Sequence, residues 1–227
     1  MIKYLIVIGF MAMSTAPMAA AADWKVIPQP KLGMVSATAN HNFSGGAEKT
    51  EKTVLPEFAS LPHLLQASRS DQAGTDRSAK AEARLEIENG IIRFKGKLET
   101  TDKVPTDFLA PVASMKGMVT LDLKVLLPNP SGTIKGTVRV THNAPESMIA
   151  AGTEEVQKGL PENIIAKVFV NDELVLSSID LTVGVEKGIP VPLHHEDIVT
   201  VFVQEEFSMI ASGQVDLLST VEYNFTP

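Results

Sequence analysis

The chain has 227 residues, 44% of them hydrophobic but only 5% aromatic, with no cysteine and a formal net charge of −7 at neutral pH. That length suffices for one large or two small domains whose core needs no disulfide staples. The acidic balance argues against nucleic acid and anionic membrane surfaces as partners, and one Trp with two Tyr is a poor stock for a sugar-stacking face.

Residues 1–22 have the layout of a signal peptide. Lys3 supplies a positive start, Tyr4 to Met13 an apolar run too short to span a bilayer comfortably, and Ala20-Ala21-Ala22 the small side chains that a signal peptidase reads. Cleavage would leave Asp23 as the N-terminus and, with Lys3 gone, a still more acidic chain. No Cys follows the run to take a lipid anchor, and no second apolar stretch follows. The expectation is an exported protein of the periplasm, cell surface or extracellular space, with no membrane insertion after cleavage.

Residues 23–78 read as an extended N-terminal segment with one strand and loops. Pro28 and Pro30 keep its start extended. The strand, at about 34–43, alternates Val35, Ala37, Ala39, His41 and Phe43 with Ser36, Thr38, Asn40 and Asn42. Stretches 44–53 and 69–80 are rich in Ser, Gly, Asp, Lys and Thr and read as loops. A short helix is predicted over Leu55–Ser68, limited by Pro62, and a second over Ser147–Lys158.

Residues 79–227 read as a β-sandwich domain. Ala81, Ala83, Leu85 and Ile87 alternate with charged residues up to Asn89-Gly90, a pair suited to a type I′ turn, and Ile92, Phe94, Gly96 and Leu98 continue the apolar face on the return strand. The strand Val119–Leu127 ends at Pro128-Asn129-Pro130-Ser131-Gly132, and Ile134, Val138 and Val140 line the strand after it. Residues 164–170 and those after Asn171-Asp172-Glu173 read as another hairpin. Strands at 198–204 and 214–225 complete the count at seven or eight from 79 onward. The fold class is therefore all-β, an immunoglobulin-like or jelly-roll antiparallel β-sandwich.

The polar clusters fall between strands or beside them. His194-His195-Glu196-Asp197 could hold a transition metal, but consecutive residues on an extended chain point opposite ways, so a solvated turn is the better reading. Asp172 and its neighbours could bind calcium, with a plain hairpin turn favoured. Glu154-Glu155 and Glu205-Glu206 could be imagined as glycosidase carboxylates but default to exposed charge. There is no G-x-S-x-G, H-E-x-x-H or P-loop. No catalytic residue, cofactor or metal is assigned.

Three stretches, VTLDLKVLLPNPSGTIKGTVRV, AKVFVNDELVL and SGQVDLLSTVEYNF, resemble the cysteine-free subunits of chaperone–usher fimbriae, the alpha-class and common-pilus pilins. The likeness covers about half of the chain beyond residue 22. It implies a non-enzymatic structural or adhesion protein, a fimbrial or matrix subunit, with protein partners: further copies of itself or a periplasmic chaperone. It also implies assembly by β-strand addition, in which Val35, Ala37, Ala39 and Phe43 would fill alternate pockets. The alternative is a secreted or periplasmic module that binds a polysaccharide or a protein. A polysaccharide-active enzyme is the third reading. Whether the early strand pairs within its own chain or with another is left open.

Overall fold

The structure, a computed structural model, describes residues 24–41, 49–55, 61–103, 110–143, 160, 163–210 and 212–227. The signal-peptide reading at 1–22, Phe43, Glu154-Glu155 and the helix predicted over Ser147–Lys158 lie outside these residues. Twelve strands are present in the described chain: β1 (Lys25–Asn40), β2 (Lys49–Val54), β3 (His63–Ala73), β4 (Arg77–Glu88), β5 (Ile91–Asp102), β6 (Val112–Leu126), β7 (Lys135–His142), β8 (Ile164–Val170), β9 (Glu173–Leu176), β10 (Glu186–Gly188), β11 (Ile198–Met209) and β12 (Gly213–Thr226). They form two six-stranded antiparallel sheets. The first runs β2-β1-β6-β11-β8-β9 and the second β10-β7-β12-β5-β4-β3. The protein is an all-β sandwich, as its alternation predicts.

The β4–β5 hairpin follows the sequence pattern residue for residue. Glu88 pairs with Ile91 across the turn, and Ala81, Ala83, Leu85, Ile87, Ile92, Phe94 and Leu98 are all buried. The turn itself differs from expectation. Only Gly90 takes a positive φ, +82°, while Asn89 does not, so it is not a type I′ turn. The two-positive-φ geometry occurs instead between β8 and β9, at Asn171 (φ 50°) and Asp172 (φ 68°).

The N-terminal segment is richer in strand than its composition suggests. β1 starts ten residues before Val35, and its first part pairs with β6 alone. Pro28 and Pro30 lie in that part, where one side of the strand is open and a missing N–H disturbs no ladder. The register shifts between Pro30 and Leu32, and the extra residue, Lys31, reaches Asp122 at 2.6 Å. The stretches read as loops hold β2, β3 and the start of β4. The predicted helix over Leu55–Ser68 is corrected at its described end. His63–Ser68 belongs to β3, because Leu65 and Ala67 alternate into the core and period two wins over a short helical pattern.

The strand before Pro128 and the one after Ile134 do not pair with each other; β6 lies in the first sheet and β7 in the second. The turn at Asn129, where Gly132 N–H donates to the Asn129 carbonyl at 2.9 Å, carries the chain across the sandwich. The sheets meet through reciprocal fits. A Cβ on Gly117 of β6 would lie 2.3 Å from the Phe94 ring of β5, and one on Gly96 of β5 would lie 1.7 Å from Met115 Sδ of β6. Each glycine is the recess for the other strand's large side chain. Beside them, Ala37 and Ala39 of β1 face Ala79, Ala81 and Ala83 of β4 in one continuous core.

Candidate functional site

β1 holds the residues that strand addition would use. Val35, Ala37 and Ala39 are buried in the core of their own chain. Between Met34 and Ala39 the backbone pairs with β2 on one side and β6 on the other. Its end is fastened as well: His41 N–H donates to Asp71 Oδ2 of β3 at 3.1 Å, and His41 Nδ1 lies 2.5 Å from the same oxygen. In the structure this strand pairs within its own chain.

The His194–Asp197 cluster is a turn. Asp197 Oδ2 accepts from the His194 N–H at 2.6 Å, His195 Nδ1 accepts from the Leu127 N–H at 2.9 Å, and Glu196 carries φ +70°. These groups hold the approach to β11 rather than converging on a point. Asn171 of the β8–β9 turn joins them, donating to Asp197 Oδ1 at 2.8 Å and accepting from Ile198 N–H at 3.0 Å. Among the described residues no group of three or more His, Asp or Glu side chains is placed to hold a metal ion.

The densest chemistry sits where the sequence reading expected exposed charge. Glu205 is 1% exposed, whereas Glu206 is exposed and pairs with Lys116 at 3.0 Å. Period two in β11 explains this: Val201, Val203, Glu205 and Phe207 share the inward face. Burial pushes the Glu205 carboxyl up to about 8, and a hydrogen bond with Ser219 offsets only part of that. Ser219 Oγ lies 2.6 Å from His142 Nδ1. The His142 ring stacks on Phe207 at 5.4 Å, and burial pulls its imidazole down. At neutral pH the row is uncharged: a protonated carboxyl, a hydroxyl and a neutral imidazole. Among the described residues Glu205 Oε1 and His142 Nε2 have no hydrogen-bond partner.

This row contains the residue types of a nucleophilic triad in another arrangement. A triad places His between Ser and the acid; here Ser219 is the middle member, itself 1% exposed and flanked by β5 and β7. The arrangement holds a proton inside the sandwich and presents no nucleophile to a substrate. A sequence signal existed, since extending the alternation of β11 by one step puts Glu205 in the core.

Two surfaces remain. A cavity of about 290 Å³ opens at one end of the sandwich, lined by Trp24, Lys25, Asn89, Tyr223 and Phe225 among others. The outer face of the second sheet is a charged ladder in which Lys95 meets Glu86 at 2.9 Å, Arg93 meets Glu88 at 3.1 Å and Lys97 meets Glu99 at 2.6 Å. No helix among the described residues is long and apolar enough to cross a membrane. Comparison with known families, curated proteins and solved structures gives no match to this chain.

Proposed function

We propose that the chain is an exported, non-enzymatic structural or adhesion protein that works through its outer surfaces and is of the kind the fimbrial-subunit resemblance implies. The observation that carries this reading is the Glu205–Ser219–His142 row: its carboxyl and hydroxyl are turned into core beside a half-buried imidazole. The engagement of His194, His195 and Asp197 in turn hydrogen bonds supports it further. Strand addition in this reading acts at a sheet edge and not through β1, whose ladder is satisfied in cis. Expression of the full chain in a bacterial host tests the reading. The expected product is a periplasmic or secreted chain whose N-terminus, by mass spectrometry, is Asp23. An intact chain retained in the cytoplasm would sink it.

A second reading, a polysaccharide-binding module, is favoured by the cavity that gathers the one Trp, a Tyr and the polar ends of Lys25 and Asn89. Because Trp24 is the sole indole, its fluorescence reports on that cavity alone. A saturable shift on titration with oligosaccharides supports binding, and a flat titration removes this reading.

A further inference from the structure

The outer face of the first sheet departs from the apolar-in, polar-out rule more than that of the second, where Leu64 and Leu218 are exposed among charged side chains. Ile27 and Leu32 of β1, Val54 of β2, Leu174 of β9 and Ile198 of β11 point outward and are 38% to 53% exposed. Half-buried Met34, Met118, Phe169 and Phe202 lie among them. Register makes them neighbours. Met34 stands opposite Val54 on one side and Met118 on the other. Leu32 faces Thr120, which faces Phe202, and Phe169 faces Leu174. Exposed apolar patches of this extent mark interaction surfaces.

We propose that this face is a self-association surface on which a second copy of the chain packs, sheet against sheet, about a two-fold axis. The inference rests on the structural reading above and names its partner. Charge supports a second copy. A two-fold axis brings a face against itself, so unpaired charges of one sign would repel. Here Lys31 pairs with Asp122 at 2.6 Å, Lys116 with Glu206 at 3.0 Å and Lys124 with Glu196 at 3.5 Å, so most of the charge on the face is paired; Lys167, opposite Phe202, stands among the apolar side chains. Size agrees. Six strands about 4.8 Å apart and rows spanning about seven residues give a flat area of roughly 550 Å². That matches the lower end of specific interfaces, where weak and transient association is usual. Two of the four sheet edges, β9 and β10, are only 4 and 3 residues long, which discourages edge pairing there; the longer edges, β2 and β3, have 6 and 11 residues.

The test is sedimentation velocity from about 1 to about 500 µM on the chain as its expression host delivers it. The expected result is a monomer–dimer equilibrium. Ile198→Lys should weaken it at least tenfold without lowering the melting temperature at low concentration, and Glu82→Lys on the opposite sheet should leave it unchanged. The chain has no cysteine, so Thr120→Cys, at the centre of the face, gives a clean cross-linking site. A bismaleimide should link two such chains, whereas Glu82→Cys should stay monomeric. A monomer throughout, association indifferent to Ile198→Lys, or cross-linking equal at both positions would overturn the proposal. So would a monomer that floats with phosphatidylcholine vesicles, which would make the occupant a membrane. None of these outcomes bears on export, which the N-terminus at Asp23 reports separately.

Discussion

Burial makes ionisation of Glu205 costly. Its carboxyl titrates near 8 in the folded chain against an ordinary 4.5. The stability tied to the protonated form is therefore complete below about pH 4.5 and declines as pH rises toward 8. His142 works in the opposite sense: its lowered folded value gives stability that is present above about 6.5 and lost as pH falls. The window from about 6.5 to 8 isolates Glu205, with an expected slope on the order of 1 kcal/mol per pH unit. Urea unfolding across that window should show the decline, and Glu205→Gln, which keeps a hydrogen-bonding group beside Ser219, should flatten it. A wild-type curve flat from 6.5 to 8 would contradict the buried-acid account. The glycine recesses give a second residue-scale outcome. Gly117→Ala drives a methyl into the buried Phe94 ring and should cost about 2–4 kcal/mol, whereas Gly96→Ala meets Met115, whose flexible thioether can move, and should cost less. Thermal unfolding of the two variants checks the ranking.

At the scale of elements, the β8–β9 turn carries more than its two residues. Both hold positive φ, and Asn171 also ties the turn to Asp197 and Ile198. Asn171→Ala should therefore destabilise by about 1–2 kcal/mol, while Asp172→Gly, which relieves the left-handed backbone, should stabilise by a few tenths. Differential scanning calorimetry on both variants distinguishes the two signs. The same scale shows what was legible in the sequence. Hairpins closed by short turns, β4–β5 and β8–β9, could be read because both partners are adjacent in the chain and their alternation is unbroken. β3 was missed because Gln66, Ser68, Ser70 and Gln72 mimic loop composition while only Leu65, Ala67 and Asp71 are buried. The division of β6 and β7 between sheets leaves no local trace, since a strand's alternation does not say which sheet it joins.

For the whole molecule, the two sheets run continuously through the segment boundary at 78–79. β3 pairs with β4 and β1 with β6, so residues 79–227 alone would expose the Ala79–Ala83 face and the flank of β6 that β1 covers. That fragment should fail to give dispersed amide resonances, while the full sandwich should give them; a well-dispersed spectrum from the fragment would show that β1 to β3 are an accessory layer. The candidate site was less legible than the fold. Polar clusters at turns announce themselves by composition, but the Glu205 row depends on three strands, β7, β11 and β12, meeting from different parts of the chain. The outward apolar face likewise emerges only when six strands are laid side by side.

The strand order also has a consequence in time. β1 is the first described strand to be synthesised, yet its long partner β6 begins at Val112, and β5 acquires its second neighbour only when β12 appears. At typical synthesis rates of about 5–20 residues per second, β1 waits several seconds for β6. The first sheet has its full ladder only once β11 has been made and the second only once β12 has, so the sandwich cannot close until most of the chain has emerged. A translocation channel that passes only unfolded polypeptide could accept it throughout that interval, and closure of the sandwich would become the last event, on the far side.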